Sequence, residues 1–361
     1  MSNPLDTSDL RARVQIAVDA EIFSQSAVLS EIGDDLTPLV EAVSALLRGG
    51  KRLRAAFLYW GYRAGGGPDS EAVIRAATAM EFFQAAALLH DDVMDDSDTR
   101  RGMPTAHKRL ANEHAAASWA GSGDRFGLAG AILGGDLCLT WSDELFATSG
   151  LPMAELARAR PVFDRMRTQL MGGQFLDVLE SARGWDELTT DERITCARRV
   201  IRYKSAKYTI EQPLLIGAAA AGVSAADLDA LSTYGLDLGE AFQLRDDVLG
   251  VFGDPTETGK PAGDDLREGK LTVLVALTLD DASETTVALF DKLLGLPDLD
   301  EPRVDELREA IIASGALDRV EQMIQELSAS ARTALHSTTT LTDEGRAALD
   351  ALIDVSTARS A

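Results

Sequence analysis

Apolar residues recur at three- and four-residue steps along almost the whole chain, with Ala and Leu abundant and β-branched runs few. This spacing predicts amphipathic or buried helices over 36–47, 72–89, 154–179, 193–221 and 228–251. Gly-rich or Pro-marked breaks fall at 65–68, 121–127, 150–152, 184, 253–269 and 294–302. None has the length or composition of an interdomain linker, and no tandem repeat, low-complexity tract or strand–helix alternation is visible. The expectation is therefore an all-α fold, one domain over 1–361 with short flexible termini, and surface loops at 280–303 and 337–342.

Composition narrows the class. The chain has 361 residues, 45% apolar and 26% charged, which is a globular balance. Its 58 acidic against 35 basic side chains leave a net charge of −23, arguing against a nucleic-acid surface or a polybasic membrane patch. Cys138 and Cys196 stand far apart, without metal-type spacing, which excludes a disulfide framework and fits a reducing compartment. The start is polar and acidic, unlike a signal peptide. The longest apolar run, 213–223, is too short for a spanning segment of about 20 residues. A cytoplasmic protein without stable membrane insertion is expected.

Five aspartates then lie within eight residues: Asp91, Asp92, Asp95, Asp96 and Asp98, followed by Arg100 and Arg101. They end the long apolar helix predicted over 72–89. Asp91 and Asp95 are four apart, so in a helix their carboxylates share a face, with Asp92 beside them. Like charges at that spacing repel, and negative charge at a helix C-terminus opposes the macrodipole. A solvated acidic helix end accounts for two or three such residues. Five, on an apolar helix with two arginines following, point instead to Mg²⁺, which takes one or two carboxylates and completes its shell with water and phosphate. The arginines supply forked donors for the same phosphates.

A second acidic pair, Asp246 and Asp247, ends the helix predicted over 228–251. A Gly-rich stretch containing Lys260, Asp264, Asp265 and Lys270 follows. One Asp pair is commonplace, but two, each at a helix end and near basic residues, suggest a cage for several divalent ions. Gly49-Gly50-Lys51-Arg52-Leu53-Arg54 adds a flexible approach, with Lys51 and Arg54 on one helical face. Lys204 and Ser205 sit within the helix predicted over 193–221, where an ordinary polar face explains each of them singly.

Taken together, GGKRLR at 49–54, LLHDDVMDDSDTRRGMPTAH at 88–107, GGD at 134–136, MGGQFLD at 171–177, YKSAKYT at 203–209 and FQLRDDVLGVFGD with TGK and GDDLREGK over 242–270 closely resemble the trans-isoprenyl diphosphate synthase (polyprenyl synthetase) family. The resemblance runs from about 36 to 279 and extends to its geranylgeranyl diphosphate synthases. It implies an isoprenoid-synthase-type helical bundle around a deep central cavity, a homodimer, and Mg²⁺ between the two motifs. By position, Asp91, Asp92, Asp95, Asp246 and Asp247 are implied at the metal. Lys51, Arg54, Gln84 and Arg101 are implied to hold isopentenyl diphosphate. Arg100, Lys204, Ser205, Gln243, Lys260 and Lys270 are implied to contact the allylic diphosphate (dimethylallyl, geranyl or farnesyl). Asp91, Asp92, Asp95, Arg100, Lys204 and Asp246 form the implied catalytic set. Two departures stand out. Gly250 occupies the place of a third Asp, leaving Asp254 or the Asp264–Asp265 pair as replacements, and Ser205 stands where Thr is usual.

The implied reaction ionises the allylic diphosphate, and the double bond of isopentenyl diphosphate attacks the cation. The growing chain is expected along the helix leading into Asp91. Aromatics four or five residues before the first Asp stop growth at C15 in the family, whereas Ala87 and Ala86 leave that floor open here. Phe83 is the next floor, with Met80 below it. A helical turn rises about 5.4 Å, comparable with one isoprene unit, so a C20 product is expected and C25 is the nearest error. Alternatives are a longer-chain or C15 synthase and a non-catalytic regulatory subunit. An HD-type phosphohydrolase, a carboxylate di-iron bundle and a class I terpene cyclase each lack residues they need or leave Lys51, Arg54 and the second Asp pair unexplained.

Overall fold

The helix over Glu71–Met94 organises the first part of the molecule because it is apolar almost all the way round, and such a helix must be buried. A computed structural model describes residues 3–100, 102–185, 188–253, 263–280, 282–296 and 298–358. They fall into two compact units. The first contains 1–160, 216–223 and 342–345. It is built from α1 (Leu10–Ser30), α2 (Thr37–Leu47), α3 (Leu53–Ala64), α4 (Glu71–Met94), α5 (Ala106–Ala116), α6 (Gly123–Ala147) and the start of α7 (Met153–Arg183). The only strands among the described residues are β1 (Thr99–Arg100) and β2 (Met103–Pro104), a minimal antiparallel hairpin.

Ser70 starts α4 by accepting from the Val73 N–H, leaving one fewer orphan donor. The helix then buries Ile74, Ala77, Met80, Phe82, Phe83 and Leu89. By length and composition α4 is apolar enough to cross a membrane, more so than the 213–223 run. However, 72% of its most apolar window is buried within the protein, as befits a core helix. Helix α6 packs close because Gly134 and Gly135 remove side chains at the contact. A Cβ on Gly135 would lie 2.2 Å from the His90 ring, so the GGD sequence makes room for that imidazole. Ser142 also donates to the Ala79 carbonyl at 2.7 Å.

The second unit contains 161–215, 224–341 and 346–361. It takes the rest of α7, α8 (Thr190–Val200), a π-helix over Ile201–Glu211, the start of α9 (Gln212–Ala221) and α10 (Ala225–Phe252). After these come α11 (Asp264–Arg267), α12 (Val273–Thr278), α13 (Glu284–Leu293), α14 (Glu301–Ala313), α15 (Ala316–His336) and most of α16 (Asp343–Thr357). Its core joins Leu244, Val248 and Val251 of α10 to Val273–Thr278, Phe290, Leu307, Val320 and Ile324. Thr189 and Glu192 cap α8 reciprocally.

Three expectations change here. The helix expected over 193–221 is helical throughout, but its middle eleven residues are π rather than α. The loop expected over 280–303 contains α13, which Ser283 caps by accepting from the Thr286 N–H. The Thr-rich stretch 337–342 is a connection, as expected, but a pinned one: Asp227 accepts from the N–H groups of Thr339 and Thr340. The Thr340 hydroxyl, which also donates to Asp227, does most to hold this carboxyl below the ordinary carboxylate range, and the two N–H groups add to it.

Candidate active site

The predicted helix end lengthens to Met94, so Asp91 and Asp92 are helical and Asp95 is the C-cap. The five aspartates divide by partner. Asp91 is partly exposed and Asp95 is exposed, on the same face. Asp92 is only 2% exposed. Arg100, on β1, donates to Asp92 Oδ1 from both Nε and Nη2, each at 2.6 Å, and its Nη2 lies 3.5 Å from Asp91. Burial pushes the Asp92 carboxyl up and the Arg100 guanidinium opposes it. Asp96 and Asp98 belong to the hairpin instead, held by Lys108 at 3.2 and 3.0 Å. Thr105 closes that hairpin by donating to the carbonyls of Ser97 and Asp98.

Looking back along α4, Gln84, Ala87 and Leu88 are half-buried like Asp91, whereas Ala86, Phe83 and Met80 are fully packed. His90 turns away toward α6, its Nε2 lying 3.2 Å from the Ile132 carbonyl, so His90 and Asp91 do not form one site. The basic GGKRLR segment reaches α4 through Arg52, which sequence reasoning left without a role. Arg52 adopts positive φ, caps α3 and is buried. It pairs with buried Glu81 at 2.9 Å and donates to Gln15 and to the Leu47 carbonyl. This pairing seats the start of α3 one turn of α4 from Gln84. Half-buried Arg54 lies in α3, whereas exposed Lys51 precedes the Arg52 cap, so the two do not share the helical face expected of them.

In the second unit, Gln243, Asp246, Asp247 and Gly250 stand at positions i, i+3, i+4 and i+7 of α10 and share one face. Asp247 is buried and accepts from Gln243 at 2.8 Å. Burial first, then Asp265 and Asp246, push its carboxyl up to about 7. Arg245 faces the other way, clamping Glu321 with two nitrogens and donating to the Thr357 carbonyl. Gly250 has a specific reason: a Cβ there would lie 1.9 Å from Asp265 Oδ2. The Asp265 carboxylate thus fills the space that a third Asp on α10 would use. Lys270 bridges Asp265 at 3.0 Å and Glu268 at 2.6 Å. Burial disfavours its ammonium, but these two carboxylates outweigh burial and raise the amine well above its ordinary value.

Lys204 donates to Asp177 of α7 at 2.6 Å, which gives the MGGQFLD motif a contact that sequence reasoning had not assigned, and Ser205 is buried beside it. Arg101, Lys260 and Asp254 lie outside the described residues. Among the described residues no three carboxylate, imidazole or thiol side chains close into a ready-made metal cage. Hard oxygen donors presented in ones and twos on an accessible face are the donor set Mg²⁺ uses, since water and phosphate complete its octahedron. The crowded carboxylates at Asp246, Asp247 and Asp265 equally favour a cation.

A helical protein with two acidic helix ends, each set against basic side chains, belongs to the class that handles a polyanionic substrate without a protein nucleophile. The polyprenyl synthetase family model matches residues 37–311. A geranylfarnesyl diphosphate synthase of Aeropyrum pernix is 33% identical over 310 residues, covering 85% of this chain and 89% of that protein. A nonaprenyl diphosphate synthase of Mycobacterium tuberculosis is 31% identical over 355 residues, covering 96% and 92%. The crystal structure of a geranylgeranyl pyrophosphate synthase from Corynebacterium glutamicum, complexed with isoprenyl diphosphate and magnesium, matches with a TM-score of 0.91. It is 39% identical and covers 97% of this chain and 99% of that one. The chain belongs to the polyprenyl synthetase family: it is an all-α prenyltransferase of isoprenoid synthesis, in a family whose substrates are isopentenyl and allylic diphosphates.

Proposed function

We propose that this chain is a Mg²⁺-dependent, homodimeric, cytoplasmic synthase that extends allylic diphosphates with isopentenyl diphosphate to the C20 product, geranylgeranyl diphosphate. The observation that carries the reading is the accessible Asp91–Asp95 face beside an Arg100 fork already aimed at the motif. Asp91 and Asp95 would hold Mg²⁺ at the first motif and Asp246 at the second, with Asp265 standing in there for the side chain that Gly250 lacks. When bound, Mg²⁺ neutralises charge developing on departing pyrophosphate. Arg100 beside the first motif and Lys204 in the π-helix each supply a cationic donor suited to diphosphate, and Lys51, Arg54 and Gln84 orient the isopentenyl diphosphate. Apolar packing along α4 keeps water from the allylic cation.

The C20 length rests on α4. Access along its face stops between half-buried Ala87 and buried Phe83, which supports Phe83 as the floor with Met80 beneath it. The relatives span several lengths, so product analysis is decisive. Purified protein with Mg²⁺, isopentenyl diphosphate and each allylic primer in turn should give a C20 diphosphate, and no elongation with any primer would sink the reading. Phe83→Ala should shift the product to C25 or longer. An unchanged chromatographic profile would remove Phe83 as the floor.

A further inference from the structure

The π-helix over Ile201–Glu211 is unusual in its length. π geometry mostly occurs as single-turn bulges, because its hydrogen bonds and packing are poorer than those of an α-helix. Eleven consecutive residues need external support, and the structure supplies it in two forms. The first is the absence of side chains on the neighbours. A Cβ on Gly173 of α7 would lie 2.4 Å from the Tyr203 carbonyl carbon. On α10, a Cβ on Gly235 would lie 2.6 Å from the Glu211 Cα, and one on Gly239 would lie 2.7 Å from the Ala206 Cα. All three near atoms belong to the π segment's backbone. Glycines four apart on α10 and a third on α7 therefore fit the π segment from two neighbouring helices.

The second support is a buried polar cluster that the reaction does not use. Glu211 is 3% exposed and accepts from Lys207 Nζ at 2.7 Å, from Ser232 Oγ at 2.7 Å and from Gln212 Nε2 at 3.0 Å. The Lys207 ammonium also lies 5.9 Å from the Tyr203 ring centroid. Glu211 thus ties the end of the π segment to α10 and, through Lys207, to the turn that carries Lys204 and Ser205.

We propose that Glu211, through this cluster and the Gly173, Gly235 and Gly239 cradle, is a positioning residue that sets the rotation of Lys204 and Ser205 toward the allylic diphosphate. The inference rests on the function proposed above. Each residue of a π-helix turns through a smaller angle than in an α-helix. Between Glu211 and Lys204 that difference accumulates to about a third of a turn. Relaxation to α geometry would swing the Lys204 ammonium off the face where it meets Asp177, while leaving Lys51, Arg54 and Gln84 untouched.

The test is a separation of Michaelis constants. Glu211→Gln keeps the shape of the side chain but removes the charge that holds Lys207. It should raise KM for the allylic diphosphate by about tenfold to a hundredfold, with KM for isopentenyl diphosphate unchanged. Gly239→Ala, which pushes on the π backbone from α10, should give the same split. An equal rise in both constants, or a lowered Tm with both constants unchanged, would overturn the proposal by reducing the cluster to packing. Should Glu211→Gln fail to fold, Ser232→Ala removes one donor to Glu211 and should still raise the allylic KM several-fold; an unchanged value would also overturn it. Failure of the wild type to elongate any primer would instead defeat the functional reading itself.

Discussion

The two acidic motifs close long helices and share a role in the proposed chemistry, yet they manage their charge in different ways. On α4 the excess is distributed. Arg100 pairs with Asp92 and lies near Asp91, Lys108 holds Asp96 and Asp98, and Asp91 and Asp95 stand on an accessible face. On α10 the excess is concentrated. Asp247 is buried, a neighbouring carboxylate is brought in from Asp265, and Lys270 answers it from the same short segment. The first motif thus presents its carboxylates to solvent, whereas the second buries one of its own, whose proton is held up to about 7.

The largest effect separating the two should come from Asp91→Asn. Loss of an accessible ligand is expected to lower kcat by about 10²–10³-fold, measured with saturating Mg²⁺ and both substrates. Asp265→Asn tests whether the carboxylate is truly borrowed. It should reduce Mg²⁺ affinity by about 10-fold or more, seen as a raised Mg²⁺ requirement for turnover. An unaltered requirement would return Asp265 to a purely local pairing with Lys270.

The smallest effect is on stability, and it should appear only on α10. Folded Asp247 holds its proton up to about 7, while an unperturbed carboxyl releases it near 3.8. Between those values the unfolded state binds fewer protons, so metal-free stability should fall as pH rises through this window. Urea unfolding from pH 5 to 8 should show the decline in the wild type. Asp247→Asn should flatten it and gain about 2 kcal/mol at pH 8. Mg²⁺ should produce a similar flattening in the wild type, and an undiminished slope with the ion present would separate Asp247 from the metal site.

Much of this was legible beforehand because helical periodicity converts spacing directly into a face. Asp91 with Asp95, and Gln243 with Asp246 and Asp247, need only 3.6 residues per turn to be placed together. The motifs were equally readable because cationic and carboxylate residues are unusual at apolar helix ends. Contacts between elements distant in sequence were not readable in this way. Nothing local distinguishes Arg52, which pins α3 to Glu81, from Lys51 and Arg54 on either side of it. Nor does any spacing rule indicate that Gly250 leaves room for a side chain fifteen residues onward.

The net charge of −23 was fixed by composition, and it argues against a nucleic-acid surface while saying nothing about how diphosphates are handled. The sequence alone determined the all-α class and the faces of the two acidic helices, which follow from residue type and short-range periodicity, and the family, which follows from the resemblance of its motifs. Only the tertiary structure decided which aspartates are accessible, which carboxylate replaces the one Gly250 lacks, and that 201–211 winds as a π-helix. Those outcomes depend on burial and on close approach between helices, which are set by the whole packed chain rather than by any one segment.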